Sequence, residues 1–167
     1  MEEPKVDIPK AVDDAELIDR MVYEPSFFCE GRLGPAAFDL TKKDETYISV
    51  LRNKYYKFSE ITPPKARKEG DTLAGIAQLK VKDVRAIPSP TPINSVMVKV
   101  EARGSAKLPS HAGIFTTIDG TPVKGGTQHS TPWFMYVQKE LVKLSSYIPF
   151  AQLKPEVVTA SPNPESC

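Results

Sequence analysis

The sequence has little cysteine and no long apolar run. Only two of its 167 residues are cysteine, Cys29 and Cys167, and they show none of the paired spacing of a secreted disulfide framework. We therefore predict two free thiols in a reducing cytoplasm. No apolar run approaches the roughly 18 residues that span a bilayer, and no basic start followed by an apolar stretch marks a secretory signal. Neither a membrane nor secretion is expected.

Strong charge of one sign and the common cofactor motifs are also absent. Lys and Arg number 22 against 21 Asp and Glu, so the net charge of +1 implies no general attraction to nucleic acid or membrane. The two His and two Cys show no metal-ligand spacing, so we predict no metal site. The phosphate-loop, dinucleotide and nucleophile-elbow patterns are missing. These absences favour a domain that binds rather than catalyses.

Proline is abundant, with 16 residues, which argues against a helical bundle and for short elements joined by stiff turns. Proline and polar residues concentrate at the two ends of the chain, where disorder is common. We predict a flexible N-terminal arm over residues 1–12, a single domain over 13–149 and a Pro-rich tail over 150–167.

Four segments predict strands: residues 45–52, 73–84, 95–102 and 112–118. Apolar and polar side chains alternate in 73–84 and 95–102, whereas both faces of 45–52 carry apolar groups. Asp119-Gly120 follows the last of the four segments and predicts a tight hairpin turn. The end of the second segment, residues 81–87, fits a helical turn as well. Residues 15–23 predict a short helix, or a helix that becomes a strand at Arg20.

One longer helix is indicated near the end of the domain. Pro132 suits its first position, and Trp133, Val137, Leu141 and Leu144 form an apolar stripe at helical spacing. We predict an α+β fold in which a small, largely antiparallel sheet packs against this long C-terminal helix.

Several polar residues stand where a binding site would use them. His111 begins an apolar strand and would act as acid, base or donor, or else cap its turn; Ser110 precedes it. Ser49 lies on an apolar strand beside Tyr47 and needs a partner, which is either a backbone group or a pocket ligand. Arg32, between glycines, would bind an anion or lie solvated in a turn. Arg32, Tyr47 and Ser110 are our ligand-binding candidates.

A stripe of bases and aromatics runs over residues 52–58 and could neutralise phosphates and stack on bases. Its candidate nucleic-acid contacts are Arg52, Lys54, Tyr55 and Tyr56. The alternative is that the aromatic residues belong to the core, with lysines on the wet side, and we do not expect nucleic acid as the main partner.

Four short motifs resemble those of small uncharacterised bacterial proteins, and their layout is similar to that of the ADP-ribosyltransferase superfamily. They are Arg20-Met21-Val22-Tyr23, Gly31-Arg32-Leu33 with Ala37-Phe38, Tyr47-x-Ser49-Val50 and Ser110-His111-Ala112-Gly113-Ile114. The resemblance implies that Arg20 contacts the diphosphate or ribose of NAD and that Ser49 braces the nicotinamide site. Tyr23 stands in place of a His, and no Glu-x-Glu or Gln-x-Glu pair is present unless Glu101 or His111 substitutes.

Our leading hypothesis is a bacterial cytoplasmic accessory or regulatory domain that binds a partner protein or a small ligand and needs no cofactor. The alternative is an NAD-using enzyme of ADP-ribosyltransferase type with Arg20, Ser49 and His111 as catalytic residues. Nucleic-acid binding through the 52–58 stripe is third. Because Arg20, Ser49 and His111 are polar groups set into apolar strands, we expect them to converge on one pocket. The sequence indicates no oligomeric state.

Overall fold

The computed structural model describes residues 8–57 and 70–153, without the side chains of Ala151 and Leu153. A seven-stranded sheet forms its centre. Its strands are β1 (Leu17–Glu24), β4 (Tyr47–Arg52), β5 (Thr72–Lys80), β6 (Val96–Ala102), β7 (His111–Ile118), β8 (Thr121–Pro122) and β9 (Ser146–Pro149). Their order in the sheet is β6-β7-β4-β1-β5-β9, and β8 pairs with the end of β7. Two short strands, β2 (Phe28–Cys29) and β3 (Arg32–Leu33), form a separate hairpin.

Helices are few and short. They are α1 (Val81–Arg85), α2 (Pro132–Leu144) and α3 (Phe150–Leu153), with 3-10 turns at Pro35–Phe38, Asn53–Tyr55 and Gly125–Ser130. Every strand pairing of the described residues is antiparallel, which confirms the predicted mixed fold with a largely antiparallel sheet. None of the described helices is long and apolar enough to cross a membrane. Most of the predicted arm and tail lies outside the described residues, namely residues 1–7 and 154–167.

The strand predictions from alternation hold where one face is buried. In β6, Val96, Val98 and Val100 are buried while Met97, Lys99 and Glu101 are exposed. Asp119 and Gly120 both have positive φ and connect β7 to β8, as predicted for a tight hairpin. The second predicted strand ends as β5 at Lys80, and α1 follows it, as the helical alternative proposed.

The predicted N-terminal helix over residues 15–23 is wrong, and the alternative is right only in its strand from Arg20 onward. Residues 17–24 form β1. On one side β1 pairs with β5 along its whole length, and on the other side it pairs with β4. The apolar residues of this segment occur in adjacent pairs, which suit a strand buried on both faces as well as a helix. Pairing with these two neighbouring strands therefore determines the conformation of residues 17–24.

The C-terminal helix exists but is not long, because α2 has 13 residues and begins at Pro132 as predicted. Its buried apolar residues are Phe134, Val137 and Leu141, so the prediction holds for Val137 and Leu141. Trp133 is half-buried and Leu144 is 36% exposed, so the real stripe is rotated toward Phe134. This stripe packs on the apolar face of the sheet together with the Pro35–Phe38 turn.

Cys29 is disulfide-bonded, so the prediction of a free thiol at this position is wrong. No free cysteine occurs among residues 8–57 and 70–153. Disulfides persist mainly in oxidising compartments. The cysteine argument for a reducing cytoplasm therefore loses its basis.

Candidate functional site

The register of the strands separates the sheet into two faces. Side chains of directly opposed residues lie on the same face, so Ile18 and its partner Arg52 share one face. We call this the core face, since it carries the buried valines and isoleucines. Ser49 pairs with Gly113 and Leu51 with His111, which places Ser49 and His111 on the opposite face, the outer face.

Ser49 and His111 meet on the outer face. The hydroxyl Oγ of Ser49 lies 2.5 Å from Nε2 of the His111 imidazole, and both side chains are half-buried. The two residues sit on neighbouring strands, offset diagonally by the register, so the contact depends on β4 and β7 being aligned as they are. The structure brings together two of the three residues for which we predicted a shared site.

Burial lowers the pKa of His111 below its ordinary value, because a charged imidazolium loses its water. The main chain of Arg103 and the carboxylate of Glu45 act in the opposite direction, while the Arg103 guanidinium adds to the lowering. The net direction is downward. At neutral pH the ring is therefore neutral, and Nε2 can accept the Ser49 hydroxyl proton.

Arg103 and two aromatic rings surround this pair. The guanidinium carbon of Arg103 lies 5.2 Å from the ring centre of Tyr47 and 4.8 Å from that of Phe115. The Tyr47 ring is in turn 5.8 Å from the imidazole of His111. Arg103 is exposed, and among the described residues its guanidinium makes no ion pair. A cation stacked on aromatic rings is thus presented to solvent beside Ser49 and His111.

Gly113 allows the Tyr47 ring to lie in this position. A Cβ at residue 113 would come within 2.7 Å of Tyr47 Cδ2, a distance that carbon atoms do not tolerate. The ring therefore covers the backbone of β7 between His111 and Phe115, and it packs against Phe115 with ring centres 5.2 Å apart.

The prediction that Arg20 joins this site is wrong. Two-residue periodicity along β1 places Arg20 on the core face, and its side chain is 7% exposed. Its guanidinium donates to the carbonyls of Ala37 (2.9 Å), Ser49 (2.8 Å) and Asp39 (3.3 Å). Arg20 therefore braces β1, β4 and the 35–39 segment, and it reaches Ser49 only through the main chain behind it.

Arg52, the first base of the predicted stripe, does not lie at the surface. Arg52 is 1% exposed and forms a bidentate ion pair with Glu16, at 2.8 and 2.9 Å, while also donating to the carbonyls of Pro9 and Ala11. Its guanidinium stacks on the Tyr55 ring at 4.7 Å. No phosphate can reach a buried guanidinium whose donors are engaged.

The other two candidate contacts of that stripe differ in accessibility. Lys54 is exposed, whereas Tyr56 is half-buried and its hydroxyl donates to the carboxylate of Asp19. Residue 58, the end of the stripe, lies outside the described residues.

The three ligand-binding candidates are dispersed. Tyr47 lies at the outer-face site, as described above. Ser110 is 2% exposed, and its carbonyl accepts the amide of Arg52. Arg32 is exposed on the separate β2–β3 hairpin, whose Phe28 packs on Tyr147 of β9, far along the sheet from β4 and β7.

Asp19 was not predicted as a site residue from the sequence. It is a fully buried carboxylate on the outer face of β1. It accepts hydrogen bonds from Asn53 (2.7 Å), Gln78 (3.1 Å) and Tyr56. Burial, and then the hydrogen bond and charge of Asp19, raise the pKa of the Tyr56 hydroxyl and keep it protonated. These donors satisfy Asp19, so the cluster ties the segment after β4 to the sheet.

Arg103 was also missed, although a signal for it was present. It continues the outward positions Lys99 and Glu101 of β6, and its amide donates to the carbonyl of His111 at 2.8 Å. Extending the predicted alternation by two residues places Arg103 beside the start of β7.

Two cavities lie elsewhere. One of about 510 Å³ is bounded by Pro9, Lys10, Arg52 and the 104–109 loop, and another of about 680 Å³ by Ala11, Glu16 and Tyr55 among others. Both flank the Arg52–Glu16 ion pair, in which the charged groups bind each other. The outer face is therefore the better candidate, since its polar groups remain accessible. No cluster of three metal-ligating side chains occurs in the described parts of the chain.

No protein-family model matches the chain, and comparisons with curated proteins and with solved structures find no match either.

Proposed function

We propose that this chain is a binding domain, acting as an accessory or regulatory component, and that its ligand is a small organic anion with a flat ring. The site is the outer-face cluster of Ser49, His111, Arg103, Tyr47 and Phe115. The observation that carries the proposal is the Arg103 guanidinium, which is stacked on two rings and exposed 4.8 to 5.2 Å from their centres.

The chemistry of these groups selects the ligand class. A guanidinium presents a planar fork of N–H donors that matches carboxylate and phosphate oxygens. The half-buried Tyr47 ring, which packs against the buried Phe115, offers a surface against which a flat group packs. Ser49 and neutral His111 supply a donor and an acceptor at the edge of the same surface. A ligand with an anionic group and a ring would contact all three.

Binding of NAD as in an ADP-ribosyltransferase remains the alternative, since NAD also combines flat rings with phosphates. One observation disfavours catalysis of that type. Arg20 is held on the core face by main-chain carbonyls and cannot contact a ligand at Ser49. The engaged Arg52 and Tyr56 likewise disfavour nucleic acid. A protein partner has no specific observation in its favour, and a cytoplasmic location stays a prediction.

Calorimetric titration with phenyl phosphate, benzoate, NAD and ADP-ribose tests the proposal. We expect phenyl phosphate to bind and Arg103→Gln to weaken its binding by about tenfold, because a charge-assisted hydrogen bond contributes roughly 1.5–3 kcal/mol. Lys107→Gln is the matched control, since it removes an exposed cation from the loop that follows Arg103.

Equal weakening by both variants would show that only general charge attracts the anion, and it would contradict the proposed site. Binding of NAD and ADP-ribose without binding of phenyl phosphate would favour the NAD-using alternative. The absence of heat with all four compounds would reject the ligand class.

A further inference from the structure

We propose that Ser49 is a nucleophile and His111 its general base, so that the outer-face site cleaves small carboxylic esters that carry an anionic group. This inference rests on the proposed function, because the same Arg103 cluster would hold the anionic part of the ester. It adds a reaction, and it assigns Ser49 and His111 as the residues that touch the reacting atoms.

The distance between the two side chains is the first argument. A serine hydroxyl is a weak nucleophile until a neighbouring base takes its proton, and this needs a contact of about 2.6–3.2 Å. Oγ of Ser49 and Nε2 of His111 lie 2.5 Å apart, so proton transfer requires no movement of either strand. The buried and neutral imidazole is in the protonation state that a base needs.

The fixed position of Ser49 is the second argument. On the core face, Nη1 of Arg20 donates to the carbonyl of Ser49 at 2.8 Å and holds the backbone of β4 from behind. On the outer face, β4 and β7 hold Ser49 opposite Gly113, whose main chain is covered by the Tyr47 ring. Arg20 thus acts as a positioning residue for the strand that carries the hydroxyl.

Arg103 supplies the positive charge that would hold the anionic group of the ester. The Arg103 amide donates to the His111 carbonyl, so its strand position is adjacent to the base. Its guanidinium is exposed and makes no ion pair within the described residues, which leaves it available to an anion.

The reaction has two balanced steps. In the first, Ser49 Oγ forms a bond to the ester carbonyl carbon as its proton passes to His111 Nε2. The bond between that carbon and the alcohol oxygen then breaks, and the leaving alcohol takes the proton from Nε2. In the second, His111 takes a proton from water, the hydroxide attacks the acyl carbon, and Ser49 leaves with the proton. The products are an acid and an alcohol.

The test uses the full chain with 4-acetoxybenzoate, an anionic aryl ester, and with neutral phenyl acetate. Peptide mapping by mass spectrometry locates the acetyl group, and release of the phenol gives the rate. We expect acetylation at Ser49, at least tenfold faster release from the anionic ester, and loss of both in Ser49→Ala. Ser146→Ala is the matched control, since Ser146 is an exposed serine on the same sheet face and its variant should react normally.

His111→Gln should also abolish acetylation. If that variant does not fold, the pH profile of the unmodified protein replaces it: the rate should rise with the loss of one proton at a pKa below 6.5 and stay level above it. Arg103→Gln should slow release from the anionic ester and bring its rate close to that of phenyl acetate.

Acetylation at lysines alone, or equal rates in Ser49→Ala and the unmodified protein, would overturn the inference. If phenyl phosphate still binds through Arg103 in that case, the binding proposal stands and only the reaction fails. If Ser49 is acetylated but Arg103→Gln changes neither binding nor ester preference, the proposed ligand class fails and the nucleophile remains.

Discussion

The two faces of the sheet use charged residues in opposite ways. On the core face, Arg20 and Arg52 are buried, and their guanidinium groups donate to main-chain carbonyls and, for Arg52, to Glu16. On the outer face, Arg103 lies exposed on aromatic rings beside Ser49 and His111. Both faces carry arginines on or next to apolar strands, yet only the second leaves donors for a ligand.

Burial and hydrogen bonding therefore distinguish arginines that stabilise the fold from those that are available to a ligand. A buried charge is costly unless its hydrogen bonds are satisfied, so Arg20 and Arg52 fix the segments that they bind. An exposed arginine held by rings stabilises the fold little, because its charge remains solvated. Substitution of a buried arginine should therefore lower stability, whereas substitution of the exposed arginine should weaken binding.

The largest effect should come from Arg52→Met on the core face. The variant leaves the Glu16 carboxylate buried without its partner, and the loss of one member of a buried pair costs about 3–5 kcal/mol. Denaturant unfolding gives the free energy directly. Lys143→Met is the control: Lys143 is 71% exposed in a pair with Glu140, and it should cost less than about 1 kcal/mol. Similar losses in both variants would contradict the distinction between buried and exposed pairs.

A comparable loss should follow from Leu141→Ala in α2, where the side chain is fully buried against the core face. Cavity-forming changes of this kind cost about 2–5 kcal/mol. Leu144→Ala, at the same helix but 36% exposed, should cost less than about 1 kcal/mol. Equal unfolding midpoints for the two variants would show that the helix does not pack through Phe134, Val137 and Leu141.

A smaller effect should appear on the outer face as a pH dependence. The pKa of His111 is lowered in the folded chain, so its contribution to stability is present above about pH 6.5. That contribution is lost as the pH falls from there through the folded-state pKa, by at most about 1.4 kcal/mol per pH unit for one proton. The free energy of unfolding should therefore fall more steeply below pH 6.5 in the unmodified protein than in His111→Gln. Parallel curves would mean that burial does not disfavour the charged ring.

Alternation along single strands was enough to predict much of the sheet. β6 has one face buried and one exposed, and Asp119-Gly120 marks the turn that follows β7, which is buried on both faces. β1 was mistaken for a helix, because its pattern is set by neighbours on both sides, β4 and β5, that no local window contains. The rotated stripe of α2 has a similar cause, since the Pro35–Phe38 turn determines which residues of the helix are covered.

The candidate site was predictable only where residue type and strand position agreed. Ser49 and His111 stand out as polar groups in apolar strands, and the structure brings them together. Arg20 stands out in the same way but faces the core, because the face of a strand depends on its register with its partner. The disulfide at Cys29 could not be inferred from the sequence, which shows none of the paired cysteine spacing of a disulfide framework.

The most direct test of the two-face account is NMR chemical-shift mapping of the full chain during titration with phenyl phosphate. The account predicts that the largest shifts occur at Ser49, Arg103 and His111, and that Arg20 and Arg52 on the core face are not among the shifted residues. Shifts centred on residues 8–11 and the 104–109 loop would place the ligand in the cavity beside Arg52 and would contradict the account.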